Sequence, residues 1–188
     1  MLLHEPAKPL PHSATAEPTA APAASAPSTI GFRLVMLRHH RQVFRLAVGL
    51  LRDEREAEDA CQEAFLRYWQ HRQRVEQPRL WLLRVVRNEC LSRLRRHSRA
   101  VVESGIEVAE PADDRDPSWH QQQGELSQQL QRAIDSLPEP QRSLVLMFDV
   151  QGIDGASCAR ILELSINQVK VYLHRARKRL RTHLEHAL

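Results

Sequence analysis

Between Leu137 and Leu184 the chain reads LPEPQRSLVLMFDVQGIDGASCARILELSINQVKVYLHRARKRLRTHL, and this stretch constrains the fold more than any other. It reads as one short helix followed by a helix-turn-helix. Asp154 offers an N-cap to a short helix holding Ala156, Ala159, Ile161 and Leu162. Glu163 and Leu164 make the turn, and the Ser165 hydroxyl caps the helix that follows. In that last helix Val169, Leu173, Ala176 and Leu180 fall on one face, which must pack inward. The opposite side presents Asn167, Gln168, Lys170, Val171, His174, Arg175 and Lys178, and Arg177, Lys178, Arg179 and Arg181 make the end densely basic. Side chains near the start of such a helix reach base edges, and later basic ones hold phosphates. Gln168 has the chemistry to pair with adenine, Lys170 to reach guanine or phosphate, and Val171 to touch a thymine methyl. A basic stripe by itself is most often a solvated face. Here cap, turn and preceding helix agree on a DNA-reading unit, although repressors and activators of many kinds carry one.

The rest of the chain points to an all-α protein. Of 188 residues 42% are hydrophobic, enough for a core, while 5% are aromatic and 6 are glycine, so turn signals are sparse. Cys61, Cys90 and Cys158 lie far apart, each within a predicted helix. An odd count without ligand spacing argues against a disulfide framework or a zinc site and suits buried thiols in a reducing compartment. No segment approaches the length of a membrane span or a signal-peptide core, so the expectation is a cytoplasmic chain without membrane insertion. His39, His40, His183 and His186 lack carboxylate or thiol neighbours at ligand spacing, so no metal is expected. Paired carboxylates, a nucleophile–base set and a glycine-rich phosphate loop are all missing at useful spacing. Neither catalysis nor a cofactor is therefore expected.

Composition divides the chain. Residues 1–29, rich in Pro, Ala, Ser and Thr, read as a disordered tail. Over 30–99 three helical stripes make one small bundle. The first carries Phe32, Val35, Val43, Phe44, Ala47, Leu50 and Leu51. Asp53 with Glu56 forms a capping box for the second, which holds Ala57, Ala60, Cys61, Ala64, Phe65, Tyr68 and Trp69. Pro78 opens the third, with Trp81, Leu82, Val85, Val86, Leu91 and Leu94. Residues 100–118 lose the periodicity and gain acid, reading as a linker, and a second helical domain occupies 119–188.

The formal net charge is only +4, but it is unevenly spread. Residues 53–59 are acidic, whereas Arg79–Arg99 carries a run of arginines against Glu89 alone. Arginines beside aromatic rings suit an opened nucleic-acid strand, because guanidinium groups track phosphates while planar groups stack. Trp81 lies on the apolar stripe and reads as core. The runs AEDACQEAFLRYW (Ala57–Trp69), PRLWLLRVVRN (Pro78–Asn88), SLPEPQR (Ser136–Arg142) and INQVKVYLHRARKRL (Ile166–Leu180) together resemble bacterial RNA polymerase sigma factors. The resemblance is to the extracytoplasmic-function (ECF) group, which keeps only the second and fourth sigma domains.

That resemblance implies a promoter-specificity subunit that binds core RNA polymerase and promoter DNA and is held by an anti-sigma factor. Asp59, Gln62, Glu63, Phe65 and Trp69 would face the polymerase. Arg84, Arg87, Asn88, Arg95 and Arg96 would contact the melted minus-ten strand. Lys170, Val171, His174, Arg175 and Arg177, with Gln168 beside them, would read the minus-thirty-five element, and Arg142 would add a phosphate contact. The sequence departs from the family at Glu163, where glycine is usual, and at Val171–Tyr172, where Ser-Arg is common. Gly155–Cys158 is also smaller and less acidic than usual. A stand-alone helix-turn-helix regulator and a degenerate sigma-like interaction protein remain the alternatives.

Overall fold

The structure, a computed structural model, describes residues 29–103 and 125–185; among them every regular element is helical. Three helices build the first unit: α1 (Thr29–Leu51), α2 (Glu54–His71) and α3 (Pro78–Glu103), with a 3-10 turn at Arg72–Arg74. Their contact is made possible by small side chains. Ala57, Ala60 and Ala64 of α2 are fully buried at helical spacing and let α1 and α3 approach closely around Leu46, Leu50, Leu82, Leu83 and Val86. Burying each such leucine contributes about 1.5–3 kcal/mol. Trp81 packs half-buried at the edge of this core, its ring 6.0 Å from Tyr68.

Asp53 caps α2, its carboxylate accepting from the Glu56 N–H at 2.8 Å. The second half of the expected capping box is not seen: Glu56 instead sits 3.3 Å from His97 of α3. The helix α3 also continues to Glu103, so the first residues read as linker are helical. The tail, apart from Thr29, and most of the acidic linker lie outside the described residues.

The second unit comprises α4 (Glu125–Asp135), α5, α6 (Gly155–Leu162) and α7 (Ile166–Glu185). Helix α5 starts as an α turn, Gln141–Leu144, and continues in π geometry over Val145–Val150. Met147, Ile153, Cys158, Ile161, Val169 and Ala176 are buried together.

The two units share one continuous core. A Cβ on Gly49 of α1 would meet a Leu146 methyl of α5 at 3.1 Å, so the close approach of the helices depends on glycine there. Arg142 of α5 donates to the carbonyl oxygens of Leu50 (2.7 Å) and Gly49 (3.4 Å). Those carbonyls belong to the last turn of α1 and have no intrahelical partner, so a cation from the second unit caps a helix of the first. Arg142 also binds Asp135 at 2.8 Å, and Asp135 accepts from Arg52 at 3.1 Å.

Candidate nucleic-acid interface

Helix α7 divides cleanly by burial. Val169, Leu173 and Ala176 face the core, while Asn167, Lys170, Val171, His174, Arg175 and Lys178 are exposed. Val171 keeps 46% of its surface open, so it stands where a thymine methyl can be met; Tyr172, next to it, packs on the core. Asp154 caps α6, accepting from the Ser157 N–H (2.8 Å) and hydroxyl (2.6 Å), and these donors hold its carboxyl below the usual carboxylate range. Glu163 makes the turn in the left-handed region, with φ 56° and ψ 42°.

Two of the expected DNA contacts on this helix serve other purposes. Gln168 closes a capping box: its N–H donates to the Ser165 hydroxyl at 3.2 Å, and its side-chain oxygen accepts from the Ser165 N–H at 2.8 Å. With that oxygen committed, Gln168 cannot offer adenine both its donor and its acceptor without uncapping the helix. Arg177 points the other way, to Asp149 of α5 at 2.5 Å and over the Phe148 ring at 5.6 Å. It braces the unit instead of joining the open face. Arg142 is likewise occupied at the junction of the units, held by Asp135 and the Leu50 carbonyl.

The four arginines of α3 expected to contact the strand split into two groups. Arg95 is exposed, and Arg96, also exposed, leans toward Glu89 at 3.4 Å. Arg84 and Arg87 instead engage the second unit. Arg87, with 14% of its side chain exposed, donates to Glu139 (2.9 Å) and to the Ser143 hydroxyl (2.9 Å). It also reaches Asn88, whose side-chain oxygen accepts at 3.3 Å. Arg84 forms an ion pair with Glu163, in the turn before α7.

On α2, Asp59 and Gln62 are exposed and Glu63 is half-buried, paired with Arg67 at 2.6 Å. Trp69 is partly buried, edge-on to Phe32 with the Arg72 guanidinium 3.7 Å above its ring. Phe65 is 3% exposed, so it supports the helix from inside and cannot face a partner. Its neighbour Leu66, outside the expected set, is 58% exposed and completes the spacing 59, 62, 63, 66 on the outer face. An apolar residue in an otherwise polar stripe was the available signal. Leu66→Asp is expected to weaken binding to core polymerase about tenfold without shifting the unfolding midpoint, as a buried anchor is lost only in the complex. Immobilised core enzyme and a urea titration check the two halves.

All three thiols are buried, and burial pushes Cys61, Cys90 and Cys158 up to about 12. Thiols so held are packing groups, not nucleophiles. Among the described residues no cluster has the makings of a metal site, and no helix is long and apolar enough to cross a membrane.

A helix-turn-helix with an open basic face, packed against an arginine-rich bundle, defines an all-helical DNA-binding protein of two units. Sigma-70 region 2 matches residues 35–100, and Sigma-70, region 4, matches residues 127–180. The ECF RNA polymerase sigma factor SigM of Mycobacterium tuberculosis is 37% identical over 155 residues, covering 79% of this chain and 74% of that protein. The ECF sigma factor SigE of Mycolicibacterium smegmatis is 32% identical over 151 residues, 78% of this chain; the match spans 59% of that longer relative. In three dimensions the chain is similar to the sigma factor RpoE of Bartonella quintana, solved with the anti-sigma factor NepR. That likeness has a TM-score of 0.66 at 24% identity and covers 82% of this chain and 96% of that one. It is also similar to CnrH, solved with the cytosolic domain of CnrY, with a TM-score of 0.62 at 20% identity over 86% and 94% of the two chains. The chain belongs to the ECF RNA polymerase sigma factors.

Proposed function

We propose that this protein directs core RNA polymerase to promoters by a division of labour among three helices. The face of α2 built from Asp59, Gln62, Glu63 and Leu66 docks on the polymerase. The arginines of α3 hold the opened minus-ten strand, and Lys170, Val171, His174 and Arg175 of α7 read the minus-thirty-five duplex. One observation carries this reading: the outer face of α7 is exposed, and no acidic side chain pairs with Lys170 or Arg175 among the described residues. A cation left unpaired on a helix whose other face is locked in the core is free for phosphate. The chain supplies recognition, and the chemistry of RNA synthesis stays with the polymerase in the cytoplasm.

An apolar cleft of about 330 Å³ between the units, lined by Phe44, Val48, Leu130, Ile134 and Leu146, suits an apolar segment of an anti-sigma partner. Run-off transcription with purified core enzyme and a genomic promoter library tests the function. New start sites that require this protein are the expected outcome. If it co-purifies with core enzyme yet yields no start site, the reading gives way to a sequestering interaction protein.

A further inference from the structure

An open cleft of about 630 Å³ lies where the middle of α1, the start of α3 and helix α6 meet, and none of the residues assigned above to polymerase, strand or duplex lines it. Its charge is of one sign: Arg38 of α1, Arg79 of α3 and Arg160 of α6 line it together with His39, and no carboxylate does. At the junction of the units Arg52, Arg84, Arg87 and Arg142 each meet a carboxylate. Arg38 and Arg160 meet none among the described residues, and Arg79 donates only through Nε, to the Gln42 side-chain oxygen at 2.8 Å. His39 registers the outcome: burial lowers its pKa, and the Arg38 and Arg79 guanidiniums lower it further. The first-turn N–H groups of α3 at Arg79 and Leu80, which both line the cleft, lack intrahelical acceptors and add partial positive charge. Helix α6 brings Ser157 and Arg160 to the wall, from a stretch less acidic than is usual in the family, and its capping Asp154 is engaged by Ser157.

We propose that this cleft binds a small polyphosphate anion, held by Arg38, Arg79 and Arg160 with the Ser157 hydroxyl and the first amides of α3. Guanidinium forks match phosphate oxygens in shape as well as charge, and three of them brought to one place repel one another until an anion lies between them. The cleft falls within the range of about 300–1,000 Å³ usual for small-molecule sites, and its lining is charged where most such sites are apolar. A single phosphate is too small and too weakly charged to answer three cations. A triphosphate chain offers three adjoining anionic groups, one for each guanidinium. A nucleic-acid strand spreads its phosphates along a line, whereas these arginines come from three separate helices to a single cleft.

The test titrates the full chain with inorganic triphosphate at constant ionic strength. Calorimetry follows the heat, and nuclear magnetic resonance follows the His39 ring, whose signal His39→Gln assigns. Saturable binding is expected, and with it a rise in the His39 pKa, because a bound anion offsets the two guanidiniums that lower it. Arg38→Gln and Arg160→Gln are each expected to weaken binding about tenfold, the loss of one charge-assisted contact. Both side chains are exposed, and an unchanged unfolding midpoint without ligand confirms that the variants fold. Arg33→Gln removes the same charge from an exposed position of α1 outside the cleft and is expected to leave the affinity as it was. The absence of saturable binding overturns the proposal. An equal loss in Arg33→Gln overturns it too, by showing a general charge effect, and heat without a shift at His39 does so by placing the anion elsewhere. Oligo(dT) separates a free polyphosphate from the phosphates of a strand. Triphosphate is expected to stay bound in its presence; displacement at His39 would give these arginines to the strand and overturn the site.

Discussion

Replacing Lys170 and Arg175 together by alanine is expected to weaken binding to a minus-thirty-five duplex about 100-fold. Each charge-assisted contact contributes about 1.5 kcal/mol, close to tenfold in affinity. Both side chains are exposed on α7 and have no acidic partner among the described residues, so the loss falls on DNA and leaves the fold intact. The dependence of binding on salt should flatten by about 1.8 in logarithmic slope, since two phosphate contacts no longer release counterions. Anisotropy titrations of the polymerase-bound protein on duplex DNA across a salt series measure both quantities. An unchanged slope would overturn the assignment of α7 as the reading helix. Arg177→Ala supplies a contrast: its partner is Asp149, so it should lower the unfolding midpoint and spare the slope.

The second large effect belongs to Asp135. Its carboxylate accepts from Arg52 at 3.1 Å and from Arg142 at 2.8 Å, and the side chains of these arginines are only 6% and 14% exposed. Asp135→Ala leaves both cations largely desolvated beside a carboxylate that has gone, at a cost of about 3 kcal/mol. Such a loss is a large part of the total stability of a chain of this size. Urea unfolding should show a lower midpoint, and the packing of α1 on the second unit should be the first to fail. A midpoint within experimental scatter of the parent would show that water reaches this junction and that the shared apolar core alone joins the units.

Much of the architecture was legible because its causes are local. The stripe Val169, Leu173, Ala176 follows from helical period alone, and the caps at Asp53, Asp154 and Ser165 follow from side chains that reach backbone three residues away. The same locality explains the misreadings. Phe65 sits in a family motif beside exposed polar residues, but its burial depends on α1 and α3 packing over it. Gln168 looks like a base reader by chemistry and is a cap by geometry. Arg142 and Arg177 look like phosphate ligands in any basic run, and only the positions of Asp135 and Asp149 show otherwise.

What the amino-acid order determined by itself is the set of helices, their inward faces and the membership of the chain in its family. Each of these is encoded within a few turns of helix. The tertiary structure alone decided which charges are available. Arg52 meets Asp135 across 83 positions, and Arg87 meets Ser143 and Glu139 across 56 and 52. No periodicity records a pairing between side chains so far apart in the chain. A guanidinium is open to DNA or closed upon a carboxylate according to how two separately readable units come to rest on each other.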